Sequence, residues 1–384
     1  MTSTQDPGPL SPGGPDAGAA DGVRPGATNT LLDVSGLRVG QATRRGDGWL
    51  TGTTVVLAPD EGAVAGVDVR GGGPGTRETD LLDPRNMVER VHAVVLSGGS
   101  AFGLASADGV MERLFAAGVG LPMGESGEVV PIVPAAVVFD LGRGGDFACH
   151  PDRSLGAEAY DDAVGGGGDR RVAQGVVGAG TGATAGGLKG GVGSTSAVLP
   201  DGSTVAALAV VNALGSVVDS ATGELHSARY ALAGELPALV PPDRDEVAAH
   251  AEEVSAQLAA LGLRPGTATT IGVVATDATL TKAQCAKVSG IAHDGMARGI
   301  RPVHTMFDGD TVFTLATGAR AAPDPFAFHR LLEVAADCFT RAIAHAVLSA
   351  ETVETPAGRW VSYRDAFPSA FPPAFPPAFP PTPT

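Results

Sequence analysis

The sequence predicts an α/β protein whose strands and helices pack in layers. Strand-like apolar runs alternate with helix-like segments along the chain, and no internal repeat is visible between them. The stretch between the two ends holds roughly 335 residues, which is enough for a sizeable core. With 55 glycines and 29 prolines in 384 residues, turns are also expected to be numerous.

Apolar periodicity and turn residues place the elements in chain order. The step Asp201-Gly202 between two apolar runs predicts a hairpin, and residues 161–182, which include a run of glycines, are predicted to be a loop. The predicted strands are residues 53–58, 62–69, 91–96, 196–199, 204–211, 270–275 and 311–317, with a strand-rich stretch at 129–140. The predicted helices are residues 101–116, 243–260, 280–299 and 326–348.

Both ends of the chain have the composition of disordered segments. Residues 1–29 are rich in Gly and Pro and have almost no large apolar side chain, so they cannot bury enough surface to offset ordering. Residues 366–384 repeat the unit Ala-Phe-Pro-Pro, which favours an extended polyproline II arm, either a solvated tail or a docking segment. We therefore predict a single domain over residues 30–365 between a disordered extension and a disordered tail.

Charge and cysteine content exclude several classes of function. Lys and Arg number 26 against 42 Asp and Glu, a net charge of −16, which argues against nucleic acid or an anionic membrane as partner. Cys149, Cys285 and Cys338 are too few for a disulfide framework and have no CxxC spacing. No secretory signal pattern and no apolar run of membrane-spanning length is visible. These features predict a soluble cytoplasmic protein.

The sequence contains no recognisable metal or cofactor motif. The eight histidines are scattered and form neither an HExxH motif nor a helical HxxxH pair. A GxSxG nucleophile elbow and a GxxxxGK[ST] phosphate loop are also missing from the sequence. We therefore expect no metal site.

Thr269 and Thr270 open a predicted buried strand directly after a flexible stretch, residues 263–268. Threonine is common in strands, so an ordinary structural role explains this position. A threonine with a free α-amine, however, is both a nucleophile and a base, and cleavage of the bond after Ala268 would expose one here. The residues alone leave both interpretations open.

Other polar residues could supply groups to such a nucleophile. Asp308 and Asp310 lie beside a strand start, where they either form a turn or hold the ammonium and hydroxyl of a terminal threonine. Asn212 ends an apolar strand, where its amide either donates to an oxyanion or forms a turn. Lys189, alone in a glycine-rich loop, either stabilises charge or is solvated.

A glycine turn at residues 97–103 connects a predicted strand to a predicted helix. Its free backbone N–H groups could hold an anion or an oxyanion, which would make Ser100 a candidate substrate contact. Close packing of the strand against the helix explains the glycines equally well.

Together these segments resemble the DmpA-type L-aminopeptidase/D-esterase family, peptidase family S58, which includes β-aminopeptidases and nylon-oligomer hydrolases. The nylon-oligomer hydrolase branch is the most similar in pattern, because its nucleophile is a Thr in a Thr-Thr strand start that a DGD segment follows. The matching segments occur in family order. They are VSGLRVG (34–40), DVRGG (68–72), PGTRET (74–79), VVLSGGSAFGL (94–104), LKGGVG (188–193), VVNA (210–213), TTIGVVATDA (269–278) and DGDT (308–311).

The resemblance implies an α-β-β-α layered sandwich, a fold type shared with ornithine acetyltransferase, and a self-processing N-terminal-nucleophile hydrolase. The precursor would cut itself before Thr269 into an α chain of residues 1–268 and a β chain of residues 269–384, both within one catalytic domain. The assembly would be a homotetramer or larger and would need no cofactor. Its substrates would be small peptides, amino-acid amides or esters, or 6-aminohexanoate oligomers.

The resemblance also implies a role for each candidate residue. Thr269 Oγ would be the nucleophile, and the α-amine of the same residue would be the base. Asn212 would donate to the oxyanion, and Lys189 would support the site electrostatically. Asp308 and Asp310 would hold the amine and hydroxyl of Thr269.

Two positions depart from the family pattern. Members usually have Asn or Gly before the cut, whereas this chain has Ala268. A Tyr that contributes to the site in some members aligns with Phe139, which keeps a ring for substrate contact but lacks the hydroxyl. Two alternatives stay open at this point: an acyl transferase similar to ornithine acetyltransferase, and an uncleaved oligomeric binding protein without catalysis.

Overall fold

Two β-sheets form the centre of the structure, which is a computed structural model describing residues 22–165, 171–261 and 268–372. The strands are β1 (Arg38–Gly46), β2 (Trp49–Leu57), β3 (Ala63–Val69), β4 (Thr76–Arg77), β5 (Arg90–Val91), β6 (Ala93–Ser97), β7 (Leu121–Pro122), β8 (Val129–Val130), β9 (Ala135–Val137), β10 (Thr184–Ala185), β11 (Leu188–Lys189), β12 (Gly191–Val198), β13 (Thr204–Asn212), β14 (Thr269–Ala278), β15 (Thr311–Arg320), β16 (Val353–Thr355) and β17 (Gly358–Trp360). The helices are α1 (Ser106–Ala116), α2 (Arg153–Gly165), α3 (Arg244–Leu261), α4 (Lys282–Gly299), α5 (Pro325–Leu348) and α6 (Tyr363–Ala366).

The larger sheet has six strands in the order β12-β13-β14-β15-β3-β5. Its neighbouring strands are antiparallel except for β14 and β15, which run parallel. A parallel pair needs a crossover connection, and α4 supplies it between these two strands. This topology places the start of β14, where Thr269 lies, in the middle of the sheet beside the end of β13.

The smaller sheet has five strands in the order β1-β2-β6-β9-β4. It too contains one parallel pair, β6 with β9, and the chain between them includes α1. Because parallel strands end at the same edge of a sheet, the loops after β6 and β9 leave the sheet side by side. Those loops carry Ser100 and Phe139.

Helices cover the outer face of each sheet. An apolar core that includes Phe339 joins α4 and α5 to the six-stranded sheet, and a second core that includes Val110 joins α1 and α2 to the five-stranded sheet. A third core, with Val56 from one sheet and Leu208 from the other, fills the space between the two sheets. The layers therefore run helix, sheet, sheet, helix, and the predicted α-β-β-α sandwich is confirmed.

Local sequence signals set the starts of the two helices on the larger sheet. Thr281 caps α4 by accepting from the Gln284 N–H at 3.2 Å, and the Gln284 side chain accepts from the Thr281 N–H at 2.9 Å. Asp324 caps α5, whose first residue Pro325 has no N–H that would need a partner. These caps fix where each helix leaves the loop that follows its strand.

The described parts of the two ends are ordered, which differs from the prediction. Residues 22–29 lie against the body, where Asn29 Nδ2 donates to Glu235 Oε1 at 2.9 Å. Residues 366–372 pack on the body through Phe367, which is buried. Composition alone does not reveal such specific partners, so disorder over these residues was the wrong prediction. The rest of the extension and the tail, residues 1–21 and 373–384, lies outside the described residues.

The sequence does not predict α2, whose last turns occupy the start of the predicted loop at 161–182; residues 166–170 lie outside the described part. Glycine has low helix propensity, and α2 contains Gly156. This glycine has a tertiary purpose, because a Cβ atom there would lie 1.8 Å from the carbonyl oxygen of Ser106 in α1. Close packing against α1 therefore overrides the local signal. The strand-rich stretch at 129–140 forms only the short strands β8 and β9.

Candidate active site

Thr269 and Asn212 lie directly opposite each other in the six-stranded sheet. Thr269 begins β14 and Asn212 ends β13, and the antiparallel register pairs them. Side chains of directly opposed residues lie on the same face of a sheet. Ile271 and Leu208, two and four residues along the same strands, belong to the core between the sheets, so Thr269 and Asn212 also face that layer. The structure thus brings the predicted nucleophile beside the predicted oxyanion donor.

The Thr269 hydroxyl lies against the carbonyl group of the residue before it. In the continuous chain, Thr269 Oγ1 donates to Ala268 O, and both residues are 4 % exposed. The Ala268 N–H donates to Phe307 O at 3.4 Å, which ties the upstream side of the peptide bond to the segment before Asp308. The hydroxyl therefore contacts the oxygen of the carbonyl group whose carbon an intramolecular attack would have to reach.

Asp308 and Asp310 are buried beside the start of β14. Asp310 Oδ1 accepts from the Thr270 N–H at 2.7 Å, and its Oδ2 accepts from the backbone and ring nitrogens of His304 at 3.1 and 2.7 Å. Asp308 Oδ2 accepts from the N–H and hydroxyl of Thr305 at 2.8 and 2.7 Å. In the uncut chain these bonds place the carboxylates next to the nucleophile's strand without a bond to the Thr269 hydroxyl.

The environment of Asp308 favours its protonated form. Burial raises the pKa of the Asp308 carboxyl, and the neighbouring Asp310 carboxylate adds to this effect, while the Thr305 hydrogen bonds oppose it. A carboxyl with a raised pKa can hold a proton close to a reacting amine. His304, which sequence reasoning missed, has φ +59 in the left-handed region and is held there by its two bonds to Asp310.

Lys189 is buried, so its solvated interpretation is wrong. Its Nζ donates to the carbonyl oxygens of Gly180, Ala183 and Gly190 at 3.1, 2.6 and 2.9 Å. Burial lowers the pKa of Lys189 well below its usual range, and the nearby Arg143 guanidinium adds to that. A Cβ atom at Gly190 would lie 2.0 Å from a carbonyl oxygen of β13, so this loop rests on the strand that carries Asn212. Through these three hydrogen bonds, Lys189 holds together the loop that packs against the strand of Asn212.

The Asn212 amide is held at both ends. Its Oδ1 accepts from Arg143 Nη1 at 2.6 Å and from the Thr184 N–H at 3.0 Å, while its Nδ2 donates to Phe139 O at 3.1 Å. Phe139 thus contacts the site through its backbone carbonyl as well as carrying the predicted ring. Sequence reasoning missed Arg143, although Gly-Arg-Gly-Gly at 142–145 has the same pattern of one cation among glycines that singled out Lys189.

The glycine turn that carries Ser100 already holds a carboxyl group from its own chain. The Gly99 N–H donates to Asp140 Oδ1 at 2.6 Å, and a Cβ atom at Gly98 would lie 2.2 Å from Asp140 Oδ2. Burial raises the pKa of the Asp140 carboxyl. Ser100 has φ +51, and its N–H donates to Val138 O at 2.9 Å. The turn therefore lies beside the Phe139 loop, and part of its predicted anion-binding capacity is used internally.

Over residues 22–165, 171–261 and 268–372, no group of three or more His, Cys, Asp or Glu side chains is arranged to hold a metal ion. In that part of the chain, no helix is both long and apolar enough to cross a bilayer. Cys149, Cys285 and Cys338 are free thiols.

The fold places the chain in the class of N-terminal-nucleophile hydrolase folds. It is similar to the structure of an L-aminopeptidase D-Ala-esterase/amidase from Ochrobactrum anthropi, which is a variant of the Ntn-hydrolase fold. The TM-score is 0.64 at 19 % sequence identity, and the match covers 89 % of this chain and 93 % of that chain. At this level of identity the likeness concerns the fold alone.

The sequence comparisons then give the family. The model of peptidase family S58 matches residues 29–361. An uncharacterized aminopeptidase of Mycobacterium leprae is 50 % identical over 346 residues, which cover 85 % of this chain and 91 % of that protein. A 6-aminohexanoate-oligomer endohydrolase of Kocuria is 31 % identical over 319 residues, covering 81 % of this chain and 82 % of that protein. The chain belongs to peptidase family S58 and is a hydrolase of amide bonds, which confirms the predicted resemblance.

Proposed function

We propose that this hydrolase cuts its own chain before Thr269 and then uses the new N-terminal threonine as the nucleophile against small amide substrates. The observation that carries the proposal is the contact between the Thr269 hydroxyl and the Ala268 carbonyl, at a strand start directly opposite Asn212. Directly opposed side chains of an antiparallel pair have Cβ atoms about 4.5–5.5 Å apart, which supports Asn212 as a donor beside this contact. The proposal takes Thr269, Asn212, Lys189, Asp308 and Asp310 as the working residues.

Self-cleavage would proceed through an ester. Thr269 Oγ attacks the Ala268 carbonyl carbon, the bond from that carbon to the Thr269 nitrogen breaks, and the nitrogen takes up a proton to become the α-amine. Water then hydrolyses the ester, which leaves a carboxylate on Ala268 and a free hydroxyl on Thr269. Alanine lacks the side-chain amide that Asn has at this position in other members, so backbone position and not side-chain assistance must promote the step.

The same groups would then act on a substrate. The Thr269 amine takes the proton from Oγ, Oγ attacks the substrate carbonyl, and the Asn212 amide stabilises the oxyanion of the tetrahedral intermediate. The amine of the substrate leaves with a proton, and water releases the acid from the acyl-enzyme. Asp308 and Asp310 would hold the new ammonium once the chain end is free, and the raised pKa of Asp308 suits a group that shares a proton with it.

Intact mass spectrometry of the purified protein tests the cut directly. The wild-type chain should give two species, residues 1–268 and 269–384, and the Thr269→Ala variant should give one full-length chain without hydrolase activity. A wild-type protein that stays in one piece and still hydrolyses amides, or a Thr269→Ala variant that is cut, would overturn the proposal.

Thr270→Val is the matched control for Thr269→Ala. Thr270 is the neighbouring residue on the same strand, it is buried, and its Oγ1 has no hydrogen-bond partner within the described residues. Valine has nearly the same shape, and the Asp310 bond uses the Thr270 backbone N–H, which the substitution keeps. This variant should therefore be cut and should hydrolyse amides like the wild type.

We further propose substrates with a free amino group: small peptides, amino-acid amides or esters, and oligomers of 6-aminohexanoate. Support comes from the similarity to an aminopeptidase and to a 6-aminohexanoate-oligomer endohydrolase. The acidic chain adds to it, because a net charge of −16 favours cationic ligands. Turnover of an L-amino-acid p-nitroanilide and of a linear 6-aminohexanoate oligomer, each with and without an added acceptor amine, separates the substrate classes and distinguishes hydrolysis from acyl transfer.

The assembly we propose is a cytoplasmic homotetramer, or a larger oligomer, of cut αβ units. The three free thiols suit a reducing compartment, and the family resemblance supports the assembly. Light scattering on the purified protein should give at least four times the mass of one chain, and a monomer would contradict this part of the proposal.

A further inference from the structure

The orientation of the Asn212 side-chain amide decides whether it can stabilise an oxyanion. The two ends of an amide group have nearly the same shape, but one end donates hydrogen bonds and the other only accepts them. An oxyanion needs the donating end. The groups that fix the orientation of this amide therefore matter to the reaction as much as the presence of Asn212 does.

The contacts of the amide admit only one orientation. Two donors, Arg143 Nη1 and the Thr184 N–H, point at Oδ1, and one acceptor, Phe139 O, receives a bond from Nδ2. A flipped amide would place its NH₂ group against two donors and its oxygen against a carbonyl, so all three contacts would become repulsive. Of the two Nδ2 hydrogens, one is used by Phe139 O, and the second has no acceptor within the described residues.

Among these partners, Arg143 is the one that carries a charge. Thr184 and Phe139 contribute backbone groups that any residue type would offer. A hydrogen bond from a charged donor is about twice as strong as a neutral one, and it polarises the amide so that the remaining N–H is a better donor. Desolvation lowers the pKa of Arg143 to about 10, which still leaves the guanidinium protonated at neutral pH.

The guanidinium itself is firmly placed. Arg143 Nη1 also donates to Gly182 O at 2.6 Å, and the Arg143 carbonyl accepts from Thr355 Oγ1 at 2.7 Å. These bonds anchor the residue on both its side chain and its backbone. No hydrogen bond or ion pair within the described residues joins Arg143 to Thr269, whereas a hydrogen bond joins it to Asn212, the residue opposite Thr269.

We propose that Arg143 is a positioning residue for the reaction: it locks the Asn212 amide so that an N–H group, and not the oxygen, is presented beside Thr269. This inference rests on the proposed function, in which Asn212 donates to the oxyanion. Arg143 makes no contact with the reacting atoms and contributes no proton. Arg143 stabilises the transition state indirectly, because it sets the direction and the strength of the N–H donor of Asn212.

Kinetics of Arg143→Met and Asn212→Ala, alone and combined, test the proposal on an amide that the wild type hydrolyses, an L-amino-acid p-nitroanilide or a linear 6-aminohexanoate oligomer. Loss of one oxyanion donor lowers kcat by about 10²–10³-fold, and both single variants should show losses of this order with KM changed less than about threefold. In the double variant the second substitution should add almost nothing, because both act through one donor. Losses that multiply, or a change confined to KM, would overturn the proposal.

Two further variants separate positioning from a general structural effect. Arg143→Lys keeps a charged donor to Asn212 and should recover part of kcat, and millimolar guanidinium should raise the rate of Arg143→Ala but not that of Asn212→Ala. Arg90→Met is the matched control. Arg90 lies on the edge strand β5, and its Nη1, like that of Arg143, donates to a backbone carbonyl, that of Gly62 at 2.7 Å. This control variant should leave kcat unchanged. For a variant that is cut too slowly for a hydrolysis assay, the rate of self-cleavage is compared with that of the wild type instead of kcat.

The outcomes also distinguish this inference from the function on which it rests. Hydrolysis by Thr269→Ala would reject the proposed nucleophile. A fully active Asn212→Ala would reject Asn212 as the donor, and Arg143 with it. An impaired Asn212→Ala beside an unimpaired Arg143→Met would reject the role of Arg143 alone.

Discussion

Two of the regions that bury cations give them different kinds of partner. Arg341, in α5, forms a two-pronged ion pair with Glu235, whose side chain is 0 % exposed, with both N–O distances 2.7 Å. Lys189 and Arg143, beside the candidate nucleophile, donate to carbonyl and amide oxygens of uncharged groups. The first region pairs its cation with a carboxylate, whereas the second bonds its basic side chains only to uncharged groups.

The acidic side chains of the two regions also differ, in the direction in which their pKa is shifted. Burial alone would raise the pKa of Glu235, but hydrogen bonds from His345 and Arg341 hold it well below its usual range, so it stays ionised. Burial raises the pKa of Asp140, the carboxyl near Lys189, and the nearby cations only partly oppose this. Burial is thus overcome by cationic partners at Glu235, whereas it dominates at Asp140.

The largest effect is expected from breaking the balanced pair. Glu235→Ala leaves the Arg341 guanidinium buried without its carboxylate, so the free energy of unfolding should fall by about 3–5 kcal/mol, measured by urea denaturation. Glu235 also accepts from Asn29 and His345, and these bonds are lost as well. The folded fraction should keep the wild-type kcat, and a stability loss below about 1 kcal/mol would contradict the distinction between the regions.

Lys189→Met should have a smaller effect on stability and a larger one on activity. The substitution leaves three carbonyl oxygens without their donor but breaks no bond to a carboxylate, so the free energy of unfolding should fall by about 1–3 kcal/mol. Self-cleavage and hydrolysis should both slow, because the loop beneath Asn212 loses its support. A variant with wild-type rates would show that the Lys189 amine is dispensable to the reaction.

The two regions should respond to pH with opposite signs. Glu235 is ionised in the fold, so its stabilisation is present above the unfolded pKa near 4.5 and is lost as the pH falls. Asp140 keeps a proton in the fold that the unfolded chain releases above pH 3.8, so its contribution decreases as the pH rises. Each group changes the stability by up to about 1.4 kcal/mol per pH unit in its window.

Urea unfolding between pH 5 and pH 3 measures these slopes. Glu235→Gln should flatten the fall in stability towards low pH, and Asp140→Asn should steepen it. Slopes that change in the same direction in both variants would contradict the pKa shifts on which this prediction depends.

The smallest effect is expected at an exposed pair that belongs to neither region. Arg359 and Glu354 pair across the ribbon β16–β17, and their side chains are 58 % and 73 % exposed. Solvent screens such a pair, so Glu354→Ala should change the midpoint of urea denaturation by less than either substitution above. A loss as large as that of Glu235→Ala would show that the effect of the buried pair is not specific to burial.

The sequence was sufficient for the elements whose signals are local. The hairpin β12–β13, the capped helices and the strand after Thr269 follow from apolar periodicity and turn residues, and the family motifs order them into the sandwich. Helix α2 could not be predicted, because Gly156 lowers its helix propensity and only contact with α1 explains that glycine. The ordering of residues 22–29 likewise depends on partners more than 200 positions away, such as Glu235.

Within the site, too, some residues could be predicted from the sequence and others only from the folded structure. The pairing of Thr269 with Asn212 follows once two strand ends are known to be neighbours, and motif resemblance supplied both residues. Arg143 and His304 act on other side chains, Asn212 and Asp310, so their importance is visible only in the folded arrangement. Their assigned roles, like those of the predicted residues, stay predictions until the variants are measured.

The order of strands in the larger sheet has a consequence for the fate of a cut chain. β14 and β15 follow the bond before Thr269, yet β14 pairs with β13 on one side and β15 pairs with β3 on the other, and both partners precede that bond. The two pieces would therefore be interleaved, and separating them would break two full strand pairings and open the core between the sheets. Cutting this chain would create a new terminus without creating a separable subunit, and the pieces should part only on denaturation.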